Sequence, residues 1–312
     1  MTLSQKAALK VTREARGRVS ADGIELAFGY WPGPGEPLVA LHGLTASYLN
    51  FVGIAERLDG RRGLFALDLR GRGDSDKPDG PYGMAQHARD VAAAMLAMGL
   101  GASVIVGHSM GAFVASALAA QNPELVCGLV LIDGGYLPAM SQSSTAQQGL
   151  DPLLTERVVQ LKDTYPSREF YRDFWRKKPH FPAEDWNAWV EAFLEYEIGG
   201  DPPNLQPKAS QSAVLADLSE GFKREDVIAR LSAIRVPVLM IRADSGFAPG
   251  LPPLFPEVTM QQFRNYVPRM QEETISGATH YTMVLGERGA TRIADLIDGF
   301  ARRCRAGGAS RP

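Results

Sequence analysis

Four short apolar runs stand out along the chain, at residues 38–41, 64–67, 103–106 and 128–132, each bounded by Gly, His, Asp or Arg. Continuous apolar runs of this length suit strands buried on both faces, as in a parallel sheet. Between them the pattern predicts helices over residues 50–58, 84–98 and 110–122, the last stopped by Pro123. Strands alternating with helices predict an α/β class with a doubly wound, mostly parallel central sheet flanked by helices. Ahead of this sheet, residues 18–21 and 24–31 are joined by Asp22-Gly23 and read as an antiparallel hairpin.

The pattern changes after Tyr136. Residues 136–233 are helical in character, punctuated by proline and rich in aromatics, with Phe170, Tyr171, Phe174, Trp175, Trp186, Trp189, Phe193 and Tyr196 among them. Trp186, Trp189, Phe193 and Tyr196 recur at helical spacing, so packing against the rest of the chain is their default role. Strand character returns at 236–241 and 272–275, and a closing helix is predicted over 288–302. A long helical insertion between two strands of one sheet reads as a cap over the strand ends, where ligands of open α/β sheets bind. The expected organisation is a core of residues 1–135 and 234–312, with a helical cap, 136–233, inserted between strands 6 and 7. The stiff apolar stretch Gly250-Leu251-Pro252-Pro253-Leu254-Phe255-Pro256 is expected to add a wall to an apolar pocket.

Composition narrows the partners more than the fold. The 33 basic and 35 acidic side chains are well mixed and leave a formal charge of −2, so neither a nucleic-acid stripe nor an acidic tail is indicated. Residues 1–19 carry Lys6, Lys10, Arg13 and Arg16 with no continuous apolar stretch, which argues against a secretory signal. The longest apolar stretch, 91–107, is broken by Gly99, Gly101 and Ser103 and reads as a helix end plus a strand, not a membrane span. Two cysteines, Cys127 and Cys304, fit a reducing compartment, and a cytoplasmic location is expected. No phosphate-binding or dinucleotide fingerprint and no metal-ligand spacing occurs, so no cofactor and no metal is expected.

The chemistry concentrates at Gly107-His108-Ser109-Met110-Gly111. The G-x-S-x-G spacing places a serine on a sharp, strained turn between a strand and a helix, with glycines leaving room for the two to approach. Here the motif follows an apolar strand and precedes a good helix, the context that gives it meaning. The helix N-terminus also sets the Met110 backbone N–H beside the reacting centre. A serine hydroxyl is a poor nucleophile at neutral pH and needs a base within reach. Of the five histidines, His87 and His180 lie in or beside predicted helices, and His42 and His108 belong to motifs. His280 stands in a glycine-containing loop after a predicted strand.

Taken together, His42-Gly43, the run Asp68-Leu69-Arg70-Gly71-Arg72-Gly73-Asp74-Ser75-Asp76, the Ser109 elbow and Gly277-Ala278-Thr279-His280-Tyr281 resemble the α/β-hydrolase-fold serine hydrolases over residues 19–300. The resemblance implies Ser109 as nucleophile, His280 as general base, and the backbone N–H groups of Leu44 and Met110 as the oxyanion hole. It implies acyl transfer to water on a small-molecule carboxylic ester or lactone. Relatives with the same constellation cleave carbon–carbon bonds, make peracids or act as lyases, and a low-turnover ligand receptor is a rival of another kind. The acid departs from the usual pattern. In most relatives it follows the strand corresponding to 236–241, where this chain has Gly246 and, nearby, Asp244. Certain relatives instead take it from the end of the preceding strand, where this chain has Asp133. The interval from Ser109 favours Asp133, with Asp244 as the alternative. The charged run 68–76 could suggest a metal or phosphate site, but loop hydrogen bonding is the simpler expectation.

Overall fold

Hydrophobic burial explains the sheet directly. Residues 38–41, 64–67 and 103–108 are buried at every position, the condition for strands covered on both faces. The structure is a computed structural model that describes residues 14–137 and 152–308. Among these residues, eight strands form one sheet: β1 (Ala15–Ala21), β2 (Ile24–Trp31), β3 (Leu38–Leu41), β4 (Leu64–Leu67), β5 (Ser103–His108), β6 (Val126–Ile132), β7 (Val238–Ala243) and β8 (Gln271–Ile275). Their spatial order is β1-β2-β4-β3-β5-β6-β7-β8. The β1–β2 and β2–β4 pairs are antiparallel, and every other pairing is parallel.

Helices cover both faces. On one side α2 (Met84–Ala97) and α3 (Met110–Gln121) pack with Val39, Leu41, Ile105 and Leu131. On the other, α1 (Val52–Leu58) and the closing α10 (Glu287–Gly308) pack with Ala40, Val104, Val106 and Ile132. Alternate residues of one strand feed opposite clusters, as the two-residue period of a strand requires. The hairpin turns at Asp22-Gly23, both with positive φ (48° and 81°), as a tight two-residue connection demands. Its first strand starts three residues earlier than the apolar pattern suggested. The closing helix likewise runs beyond both ends of the expected 288–302.

Between β6 and β7 the described residues form α4 (Pro152–Val159), α5 (Arg168–Arg176), α6 (Ala188–Glu197), α7 (Gln211–Glu220) and α8 (Arg224–Ala233). A short antiparallel ribbon, Ile198–Gly199 with Gln206–Pro207, interrupts the helices. Residues 138–151 of the expected insertion lie outside the described residues. Trp189, Phe193 and Tyr196 lie on α6, whereas Trp186 precedes it at the end of a short 3-10 turn. Residues 250–256 form a turn and bends leading into α9 (Glu257–Arg264), with Phe255 buried and Leu251 exposed. The eight-residue α9 buries Thr259, Met260 and Phe263 on one face and was not anticipated. No helix among the described residues is long and apolar enough to cross a membrane.

Candidate active site

Parallel register brings the chemistry together. His108 stands opposite Ile132, and Ile132 opposite Ile241, so β5 and β6 end level with one another while β7 continues past them to Ala243. Ser109 and Asp133, the residues just past those two ends, therefore sit about 4.8 Å apart, one strand spacing. Asp244 follows the end of the longer β7. Backbone bonds from Ser109 N–H to the Ile132 carbonyl (2.9 Å) and from Asp133 N–H to the Ile241 carbonyl (2.8 Å) pin the strand ends.

Ser109 has φ 55° and ψ −120°, a conformation that costs a non-glycine residue about 1–3 kcal/mol. The surrounding packing enforces it. A Cβ on Gly107 would lie 2.3 Å from the Gly111 carbonyl oxygen, and one on Gly111 would lie 1.9 Å from that of Leu41. Neither space admits a side chain, so the elbow requires glycine on both sides of Ser109. Immediately after it, α3 begins at Met110, whose N–H is among the four at the start of a helix with no intrahelical acceptor. The His42-Gly43-Leu44 loop is pressed against the serine: a Cβ on Gly43 would stand 3.2 Å from Ser109 Cβ and 3.6 Å from its Oγ.

The His280 ring meets Asp133. Its Nδ1 lies 2.7 Å from Asp133 Oδ2, and both residues are buried, at 3% and 2% exposure, while Ser109 is half-buried. A carboxylate can only accept, so Nδ1 carries the proton and Nε2 keeps the basic lone pair. The other carboxylate oxygen, Oδ1, accepts from Ala243 N–H at 3.3 Å, which fixes Asp133 to the neighbouring strand end. Asp133 also has positive φ, 46°, on the tight turn after β6. Asp244 is placed differently. It is exposed, and its carboxylate accepts from the backbone N–H groups of Gly277 (2.8 Å) and Ala278 (3.2 Å). Two further backbone bonds, from His280 N–H to Gly246 and from Ser245 N–H to Ala278, fasten the same loop to the end of β7.

Around the His280 ring lie groups the sequence did not single out. The His108 ring stacks against it with centroids 4.5 Å apart and planes 33° apart, and Phe247 meets it edge-on at 4.8 Å. His108 accepts from Asn50 Nδ2 at Nδ1 (3.1 Å) and donates from Nε2 to the His280 carbonyl (3.1 Å). Burial, reinforced by the nearby His280, lowers its pKa well below the ordinary value, so it supports the ring as a neutral group. His42 is equally buried. Desolvation lowers its pKa to about 3, and it donates from Nδ1 to the Gly43 carbonyl while accepting Leu69 N–H at Nε2 (3.0 Å). It therefore braces the loop that carries Leu44. The signal for His108 was its place in the elbow itself; Phe247 had none.

The charged run 68–76 folds in on itself. Asp68 accepts from Tyr48 N–H, Asp74 N–H and the Tyr196 hydroxyl at 2.8, 2.9 and 2.6 Å, and desolvation still raises its pKa to about 6. Arg70 pairs with Asp90 at 2.5 and 2.6 Å. The insertion reaches the same end of the sheet. The Phe181 and His180 rings lie 5.6 and 5.1 Å from that of Tyr281, beside His280, and the Asn187 side-chain amide donates to the Leu285 carbonyl at 2.8 Å.

This chain belongs to the α/β-hydrolase-fold family, whose pattern matches residues 36–287. It is a hydrolase built on that fold. Its relatives include 2-(acetamidomethylene)succinate hydrolase from Mesorhizobium japonicum, 29% identical over 252 residues that make up 80% of this chain and 83% of that protein. N-formylmaleamate deformylase from Pseudomonas putida is 39% identical over 120 residues, 38% of this chain and 45% of the relative. A crystal structure of E-2-(acetamidomethylene)succinate hydrolase aligns with a TM-score of 0.76 at 25% identity, covering 91% of this chain and 99% of its own.

Proposed function

We propose that the chain is a serine acyl hydrolase that forms an acyl-enzyme on Ser109, with a small carboxylic ester or lactone as substrate. The observation that carries this reading is the 2.7 Å contact between His280 and Asp133 at the strand end next to the Ser109 elbow. In this reading His280 Nε2 takes the Ser109 proton as Oγ attacks the carbonyl carbon, then gives it to the leaving alcohol. Asp133 holds the imidazole in the Nδ1–H tautomer and stabilises the imidazolium. The N–H groups of Leu44 and Met110 receive the oxyanion, and each such donor contributes about 3–4 kcal/mol to transition-state stabilisation. Water then enters by the same base and releases the acid. The described part of the insertion, residues 152–233, would roof the serine and exclude bulk water.

A second reading has its own support. The two relatives are named for an acetamido-bearing succinate and an N-formyl maleamate, and neither name is that of an esterase. The same residues would cleave an N-acyl bond if His280 delivers its proton to nitrogen before the C–N bond breaks. A single screen separates the two, using p-nitrophenyl esters of rising acyl length, lactones, and N-formyl and N-acetyl enamides of small acids. Turnover of esters or lactones at least tenfold above the N-acyl compounds supports the first reading, and the reverse order supports the second. No turnover of any of them, with Ser109 unlabelled by a fluorophosphonate, would sink both.

A further inference from the structure

We propose that Arg72 is a positioning residue of the oxyanion hole, and that Asp217 of α7 couples the insertion to it. The inference rests on the reading of Leu44 and Met110 as oxyanion donors. Arg72 is fully buried, and its guanidinium reaches both of those residues. Nε donates to the Leu44 carbonyl at 3.0 Å, and Nη2 lies 3.9 Å from the Met110 sulfur. Nη1 donates to the Arg70 carbonyl at 3.0 Å and forms an ion pair with Asp217 at 2.5 Å. One planar, rigid group thus joins the loop after β3 to the first residue of α3. A guanidinium suits this role because its donors are fixed in a fork, which an ammonium lacks.

Asp217 brings the insertion into the same cluster. It too is fully buried, and it accepts from Gly83 N–H at 2.7 Å and from His87 Nε2 at 2.9 Å as well as pairing with Arg72. Burial alone would raise its pKa, but His87 and Arg72 outweigh that and hold it below the usual carboxylate range. The Ser210 N–H, just ahead of α7, donates to the Gly71 carbonyl at 2.8 Å, so the helix is anchored on the Arg72 loop at a second point. A shift of α7 away from the sheet would leave a buried guanidinium without its counter-charge, which is strongly unfavourable. The Arg72 side chain, and with it Leu44, therefore holds its place only while the insertion is seated.

The test compares Arg72→Lys and Asp217→Asn with Arg70→Lys, a charge-matched change in the same loop whose side chain faces Asp90 and not the donors. The first two variants are expected to lower kcat at least tenfold, with KM within about threefold and the pH midpoint of kcat unchanged. Phosphonylation of Ser109 by a fluorophosphonate, which uses the same oxyanion donors, should slow in proportion. Arg70→Lys should lower the melting temperature without slowing phosphonylation. If Arg72→Lys and Asp217→Asn melt lower yet phosphonylate at the parent rate, the role is structural and the proposal fails. Should neither variant fold, the parent protein decides: the Arg72 Nε–H resonance should move on phosphonylation of Ser109, and an unmoved resonance overturns the clamp. A parent protein that is not phosphonylated at Ser109 removes the nucleophile assignment instead, and the clamp with it.

Discussion

The C-terminal edge of the sheet and the insertion that follows β6 solve the same problem, holding polar groups inside a protein, in opposite ways. At the sheet edge the backbone does the holding. Ser109 and Asp133 both have positive φ, the level ends of β5 and β6 set their spacing, and His280 is tied through its loop to the end of β7. In the insertion the side chains do it. Arg157 pairs with Glu197 at 2.9 Å in full burial, and Arg72 reaches across to Asp217. His180 is buried between Trp175 and Tyr281 with neither ring nitrogen hydrogen-bonded. Backbone-held groups tolerate loss of a side chain with little change in fold, whereas side-chain networks do not. Substitutions at the edge should therefore cost rate, and substitutions in the insertion, Asp217 beneath the oxyanion loop apart, should cost or change stability.

The sharpest break is at the edge. Ser109→Ala is expected to lower kcat by about 10⁶ with the melting temperature preserved or raised, because the alanine removes only a hydroxyl. Asp133→Asn comes next, with a loss of about 10⁴, since an amide favours the wrong imidazole tautomer. Steady-state kinetics and circular dichroism on the purified variants check both. An Asp133→Asn protein within tenfold of the parent would mean that His280 draws its orientation from elsewhere, with its stacking on His108 the first candidate.

How much of this was legible in the sequence follows the same division. The elbow, the His42-Gly43 loop and His280 could be found because backbone constraint leaves a residue signature: Gly107 and Gly111 are glycine since any Cβ would strike the neighbouring chain. The strands were legible because burial on both faces writes an unbroken apolar run. Asp133 and Asp244 were both candidates because a strand end followed by aspartate looks the same whether its carboxylate faces a ring or a backbone N–H. The interval from Ser109 favours Asp133, and the structure puts its carboxylate 2.7 Å from His280 Nδ1 while that of Asp244 meets the backbone N–H groups of Gly277 and Ala278. Arg72, Asp217, His87 and His180 were not singled out, since partners far apart in the chain leave no spacing to read. The helix α9 escaped for a simpler reason: it is short, polar on average and follows three closely spaced prolines, which read as a loop.

His180 tests the other half of the comparison. Burial lowers its pKa to about 4, against 6.5 unfolded, so the unfolded chain takes up a proton that the fold refuses. Stability from this group is complete above pH 6.5 and is lost as pH falls towards 4. At pH 5 the loss is about 2 kcal/mol. His42 and His108, also lowered by burial, act in the same direction. Asp68 opposes them, because its raised pKa of about 6 lets the fold hold a proton between pH 6 and 3.8 that the unfolded chain lacks. His180→Phe keeps the ring volume and removes both unpartnered nitrogens. Urea unfolding at pH 7 and pH 5 should show a fall in stability about 2 kcal/mol smaller than in the parent. An unchanged acid dependence would show that His180 is not neutral in the fold.

The smallest effect expected marks the boundary between the two regions, at Asp244. Its carboxylate touches neither the His280 ring nor Asp133; it accepts two backbone N–H groups at the start of the loop that carries His280. That loop has independent anchors in the His280 N–H to Gly246 bond (2.9 Å) and the Ser245 N–H to Ala278 bond (3.2 Å). Because Asp244 is exposed, water can replace its oxygens at the Gly277 and Ala278 N–H groups, so their loss resembles removal of a helix cap, about 1 kcal/mol. Asn keeps one acceptor and should lose less. Asp244→Asn is therefore expected to retain kcat within about tenfold, the low end of what a displaced acid or base costs, and to lower the melting temperature by a few degrees. A pH profile of kcat gives the decisive reading. If Asp244 only fastens the loop, the acid limb set by His280 keeps its midpoint in Asp244→Asn and moves in Asp133→Asn. A midpoint that moves in Asp244→Asn and not in Asp133→Asn would exchange the roles of the two carboxylates.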